Sequence, residues 1–183
     1  MTIFTIGHST HTIETFIELL NGAAIGLVAD VRTVPRSRHN PQFNREVLPA
    51  QLGLAGIGYI HFPGLGGLRH TRPDSPNTGW RNLSFRGFAD YVQTEAFEES
   101  LNELIDLADK NRLAIMCAEA LHWRCHRSLI ADALLVRGLE VIHIMGKGKH
   151  QAHKMTPWAR VEGKKITYPP EIEGGVGGSN LYP

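Results

Sequence analysis

Five short apolar runs rich in Ile and Val punctuate the chain: TIFTI at 2–6, IGLVADV at 25–31, GIGYIHF at 56–62, RLAIMC at 112–117 and LEVIHIM at 139–145. Between them lie TIETFIELLNG, NREVLPAQLGLAG, FADYVQTEAFEESLNELIDLADK and HRSLIADALLVRG, in which apolar residues mostly fall three or four apart. Short continuous apolar runs suit strands buried on both faces, and the wider spacing suits helices that bury one stripe. Their alternation predicts a three-layer α/β fold, with a mostly parallel sheet of about five strands and helices on both faces. Gly22 and Gly138 stand where helices should stop just before a strand, as a glycine in the left-handed conformation would.

Two segments lack this periodicity. Residues 62–87, FPGLGGLRHTRPDSPNTGWRNLSFRG, carry Gly, Pro, Ser or Asn at nearly every other position and read as a long loop, a kind of segment that is usually functional or disordered. From about 147 the chain becomes rich in Gly and Pro, so residues 1–146 are expected to form one α/β domain and 147–183 an extended, loop-rich tail. Within that tail ARVEGKKITYP reads as a small hairpin with EGKK as its turn.

At 183 residues the chain suffices for one hydrophobic core, and 42% hydrophobic with 20% charged residues is ordinary globular composition. No apolar run reaches the roughly 18 residues that would span a bilayer, and MTIFTIGHSTHTIETF lacks both a basic n-region and a signal-like apolar core. A cytoplasmic protein without a membrane partner is expected. In a reducing compartment the only two cysteines, Cys117 and Cys125, are candidates for chemistry rather than for a structural staple.

Net charge is only +1, but its distribution is uneven. Residues 32–86 hold eight arginines and no lysine against Glu46 and Asp74, a local net of +6, while 87–111 hold seven acids against Lys110. Arginine in place of lysine matters because the planar guanidinium binds phosphate or carboxylate at two points.

In a parallel α/β sheet, ligands bind at the carboxyl ends of the strands. Four of the five apolar runs are followed there by polar groups: His8 after the first, Asp30, Arg32, Arg36, Arg38 and His39 around the end of the second, Arg69 after the third, and CAEALHWRCHR at the end of the fourth. Cys117 ends a strand and Arg127 opens a helix, where unpaired N–H groups and the helix dipole favour an anion and lower a thiol's pKa. Glu119 and His126 are candidate proton carriers in the same loop. A metal site built from Cys117, Cys125, His122 and His126 is disfavoured by the C-x7-C spacing, so no metal and no cofactor is assigned.

The stretches TIGHST, DVRTVPRSR, YIHFPGLGGLR and MCAEALHWRCHRSLIADAL, in that order, resemble the DUF488 family from the N-terminus to about residue 145. The resemblance implies a polar cluster of His8, Asp30, Arg32, Arg36, Arg38, Arg69, Cys117, Glu119, Cys125, His126 and Arg127, and it supplies no reaction. A weaker resemblance is to rhodanese domains, in VADVR and in the strand, cysteine, loop and RS-helix order around Cys117. It implies a nucleophilic or persulfide-carrying thiol, although nine residues separate Cys117 from Arg127 and Cys-x5-Arg spacing is absent.

Two functions follow as expectations. The first is a thiol enzyme acting on an anionic small molecule or nucleotide in an arginine-lined cleft, with Cys117 as nucleophile, Cys125 as resolving thiol or second ligand, Glu119 or His126 carrying protons, and His8, Asp30, Arg32, Arg36, Arg38, Arg69 and Arg127 around the anion. The second is a nucleic-acid or nucleotide binding module that uses the basic stretch together with Phe43, Trp80 and Trp123 for stacking.

Overall fold

The structure is a computed structural model that describes residues 1–170. Strands β1 (Thr2–Gly7), β2 (Leu27–Asp30), β3 (Gly58–His61), β4 (Leu113–Cys117), β5 (Glu140–Gly146) and β6 (Lys149–Ala152) form one sheet in the order β3-β2-β4-β1-β5-β6. The first five are parallel, as their continuous apolar character requires, and β6 pairs antiparallel to β5 at one edge. The expected α/β fold is therefore present, with one more strand than the five apolar runs announce. Strand β6, KHQA, is exposed throughout and polar, so it carries no apolar signature.

Helices α1 (Ile13–Gly22) and α2 (Leu48–Leu54) share a buried cluster with one face of the sheet, through Phe16, Leu20, Leu48 and Leu52 against Phe4, Ile6, Val28, Ala114 and Met116. Helices α3 (Leu83–Tyr91), α4 (Glu95–Lys110) and α5 (Arg127–Val136) pack on the other face, where Phe88, Leu101, Leu104, Leu129 and Leu134 meet Ile3, Ala29, Leu113 and Ile115. Alternate strand residues serve the two cores, which is why every inner strand had to be apolar at consecutive positions.

The helix-like segment from Phe88 to Lys110 divides into α3 and α4. Thr94 breaks it because its side chain accepts the Phe97 N–H as an N-cap, which starts a new helix. The Gly- and Pro-rich loop before α3 is ordered by Asp90, whose carboxylate accepts from Ser75 Oγ at 2.5 Å, Asn77 Nδ2 at 2.7 Å, Arg72 N at 2.8 Å and Thr71 Oγ1 at 3.1 Å. Four donors on one acid replace the regular hydrogen bonding that the segment lacks.

Much of the segment after 147 is fastened to the domain. Beyond β6, the hairpin expected from EGKK joins β7 (Arg160–Glu162) to β8 (Lys165–Thr167), and Ile166 and Tyr168 are fully buried. Asp132, buried in α5, accepts from the Thr156 N–H and hydroxyl and from the Tyr168 hydroxyl at 3.0, 2.6 and 2.9 Å. One acid on α5 thus anchors two points of the C-terminal segment. The remainder of the expected tail, from 171, lies outside the described residues.

Candidate functional site

The ends of β1, β2 and β4 lie side by side, and the loops that leave them enclose a cleft of about 650 Å³. His8, Arg32, Arg36, Cys117, Glu119, Cys125 and His126 all line it. Register brings Gly7 directly opposite Cys117, and a side chain at Gly7 would strike the Glu119 backbone, so only glycine lets the β4 loop fold back over β1. Ser9, at φ 46, turns the β1 loop into the left-handed region beside the cleft.

Cys117 and Cys125 meet on the floor of this cleft with their sulfurs 2.6 Å apart, although eight positions separate them in sequence. Beneath them lies Arg127, itself 1% exposed. Its Nε–H donates to the Cys117 sulfur at 3.0 Å, Nη1 to Thr5 Oγ1 at 3.2 Å, and Nη2 to the Glu119 carbonyl at 2.5 Å. Among the described residues no carboxylate pairs with it. A buried guanidinium without a counter-charge is expensive, so this geometry favours one negative charge on the sulfur pair.

The two thiols share that charge unequally. Burial pushes the Cys125 thiol up, but the hydrogen bond from Cys117 and the Arg127 charge and N–H outweigh it and bring Cys125 down to about 6. Burial, reinforced by the bond to Cys125, drives the Cys117 thiol well up. The pair therefore gives up its first proton readily and its second with difficulty, as coupled sites do.

The two histidines that line the cleft differ in their partners. The His126 ring sits by the backbone carbonyls of Val31, 3.2 Å from Nε2, and Leu65, with Nδ1 3.6 Å from the Cys125 sulfur. Gly67 packs so closely on this ring that an added methyl would sit 2.5 Å from Nδ1. His8 is neutral because burial lowers it to about 4, and Arg32 Nη1 donates to its Nε2 at 3.2 Å, so Nδ1–H serves the Ser9 carbonyl at 2.9 Å.

The arginines expected around one anion fall into two groups. Arg32 grips Asp30 with two side-chain donors at 2.9 and 2.6 Å and reaches the Phe43 carbonyl at 2.7 Å, while Asp30 also accepts from Tyr59 at 2.8 Å. Arg69 stacks 3.6 Å over the Tyr91 ring and donates to the carbonyls of Pro63, Gly64 and Gly66. Arg127 is enclosed as described. These three brace the site from within, and convergence of Arg32, Arg36 and Arg38 with Arg127 on one ligand is not the arrangement observed. Arg36 remains exposed on the cleft wall, and Arg38 is exposed but lies outside the lining. Glu119 lines the cleft with its side chain exposed, and it is its backbone carbonyl that serves Arg127.

Residues 12–134 match the family described as Domain of unknown function DUF488. The chain belongs to this family. No curated protein and no solved structure matches it.

Several further side chains belong with this candidate site. Arg124, exposed on the cleft wall, stood in the quoted loop without a role. Thr5 and His143 are opposite each other on β1 and β5, joined at 2.7 Å, and each is a polar residue set between two apolar neighbours, Phe4 and Ile6 or Ile142 and Ile144, which is the signal the sequence offers. Phe43 and Trp80, two of the three aromatics expected to stack on bases, are fully buried: Phe43 lies against the His8 ring at 4.2 Å, and Trp80 packs with Phe85. Among the described residues no helix is long and apolar enough to cross a membrane.

Proposed function

We propose that this DUF488 protein is an enzyme whose Cys117–Cys125 pair reacts with an anionic small molecule or nucleotide held in the cleft. The observation that carries the reading is the sulfur pair 2.6 Å apart, seated on a buried guanidinium that has no carboxylate partner among the described residues. Arg36 and Arg124 on the cleft wall supply charge for an anionic group, and the lining residues Val34, Leu68 and Phe85 supply apolar contact.

The chemistry best suited to two adjacent thiols is dithiol–disulfide exchange with a disulfide that bears an anionic group. The Cys125 thiolate attacks one substrate sulfur, the substrate S–S bond breaks, and the leaving thiolate takes a proton. His126 Nδ1, once protonated by a departing thiol proton, is placed to give it. Cys117, deprotonated in turn, attacks the Cys125 sulfur, releases the second half of the substrate as a thiolate, and closes a Cys117–Cys125 disulfide. Two electrons pass from the protein dithiol to the substrate, and a low-molecular-weight thiol from solution restores the dithiol. On this reading the two cysteines take the reverse of the roles expected from sequence, with Cys125 as the attacking thiolate. A second thiol this near the first also supports exchange over a lone persulfide carrier of the rhodanese kind, since the neighbour would resolve such an adduct.

The test uses 5,5′-dithiobis(2-nitrobenzoate), an anionic aromatic disulfide. Wild type should release both thiolate halves and end as an intramolecular disulfide by mass spectrometry. Cys117→Ser should release one half and retain the other as a mixed disulfide, and Cys125→Ser should react far more slowly. Equal, slow reaction of all three proteins would sink the proposal.

A further inference from the structure

Behind the thiol pair, on the far side of Arg127, three buried histidines come together from three elements. His122 lies in the 3-10 turn His122–Arg124 that follows β4, His143 in the middle of β5, and His153 just beyond β6, where its N–H bonds the Val141 carbonyl at 2.8 Å. A ring nitrogen from each lies within 4.8 Å of the others. We propose that His122, His143 and His153 form a binding site for a divalent transition-metal ion of the zinc type.

Four observations carry this. First, His143 Nε2 and His153 Nδ1 face each other at 2.9 Å. Two nitrogens on a tetrahedral zinc, each about 2.0–2.1 Å from the metal, are about 3.3 Å apart, so these two rings need to open by only a few tenths of an ångström, while His122, whose ring centre lies 3.6 Å from that of His143, has to turn its nitrogen inward from within 4.8 Å. Second, the outward nitrogens of both rings are already held, His153 Nε2 by the Asp132 carboxylate at 2.9 Å and His143 Nδ1 by Thr5 Oγ1 at 2.7 Å. A carboxylate behind a histidine is the support that orients metal-bound imidazoles and raises their basicity. Third, Asp132 is fixed by Thr156 and Tyr168, so the support is rigid. Fourth, His122 Nδ1 is buried with no hydrogen-bond partner among the described residues, a cost that a metal bond would remove.

The site asks little rearrangement of protons. In the metal-free chain of donors, Arg127 gives to Thr5, Thr5 to His143, His143 to His153, and His153 to Asp132. Metal binding moves the His143 proton from Nε2 to Nδ1, where Thr5 Oγ1 accepts it, and leaves His153 in its present tautomer. The ion would take its fourth ligand from water, as in three-histidine zinc centres. Repulsion from Arg127 is offset by the Asp132 carboxylate behind His153. This site is separate from the cysteine reading and stands without it.

The experiment is a titration of the chelator-treated full chain with Co(II), followed by absorption, with Zn(II) competition. One equivalent should bind with the visible bands of tetrahedral Co(II) and without the near-ultraviolet sulfur-to-cobalt charge transfer that thiolate ligation gives. Cys117→Ser combined with Cys125→Ser should keep the bands. His153→Gln and His122→Asn should lose them, with far-ultraviolet circular dichroism to verify folding. Asp132→Asn should weaken binding about 10- to 100-fold. Absence of binding, charge-transfer bands lost with the cysteines, or bands that persist in both histidine variants would each overturn the proposal.

Discussion

The Arg127 Nε–H points at the Cys117 sulfur from 3.0 Å, and it does so from inside the protein, where the guanidinium is 1% exposed. A cation placed below a thiol pair and shut off from water acts on the ionisation of that pair and not on a ligand in the cleft. The distinction separates the arginines of this protein into those that shape the thiols and those that meet solvent, and the predictions follow from it.

Alkylation by iodoacetamide should track the depressed thiol. The wild-type rate should rise through about pH 6 and be near its plateau at pH 7, whereas an unperturbed thiol with a pKa of about 8.5 would still be climbing. Arg127→Gln, which keeps donors but removes the charge, should move the midpoint upward by at least about one pH unit. Labelling quantified by mass spectrometry across pH 5–9 measures both, and an unchanged midpoint in the variant would show that Arg127 does not set the ionisation.

The same depression should appear in stability. Cys125 ionises near 6 when folded and near about 8.5 when unfolded, so its thiolate stabilises the fold in full above the unfolded value and progressively less as pH falls towards 6. Cys117, raised by burial, works in the opposite sense at pH above about 8.5, so the gain is to be read between pH 6 and 8. The urea midpoint of wild type should rise over that window, and the rise should be smaller in Cys125→Ser. Parallel curves for the two proteins would contradict the assignment.

Among the arginines, exposed and enclosed members should respond differently. Arg36→Lys and Arg124→Lys keep charge but lose two-point geometry, so each should weaken binding of an anionic ligand such as a nucleotide, read by calorimetry, with little change in Tm. Arg38→Lys, outside the cleft lining, should change neither. Arg32→Ala leaves Asp30 buried without its partner and should cost about 3–5 kcal/mol in denaturant unfolding. Equal effects of Arg36 and Arg38 would mean a diffuse field and no defined subsite.

Gly67→Ala probes His126. Its methyl would sit 2.5 Å from Nδ1 and 2.8 Å from Cγ, so the ring must move away from the Cys125 sulfur. Thiol exchange at pH 7 should slow several-fold while circular dichroism keeps its native form. A rate equal to wild type would remove His126 from the proton path.

The apolar runs alone determined the α/β alternation, because strands buried on both faces must be apolar at consecutive positions and helices packed on a sheet need only one stripe. They also determined that His8, Arg32 and Cys117 lie at the same end of the sheet, since parallel strands present their carboxyl ends together. Strand β6 escaped notice for the complementary reason: an exposed edge strand gains its hydrogen bonds from β5 and needs no apolar side chains. What only the tertiary structure decided was direction. Sequence placed seven charged or imidazole side chains near one cleft, but whether Arg32 turns to Asp30 or to a ligand, and whether Arg127 faces out or lies under the sulfurs, depends on which acceptors the packed loops leave within reach. Likewise Thr5, His143, His153 and Asp132 come from β1, β5, the segment after β6 and α5, far apart in sequence. Buried polar groups must find partners wherever the fold brings them, and no local pattern in the chain records which partners those are.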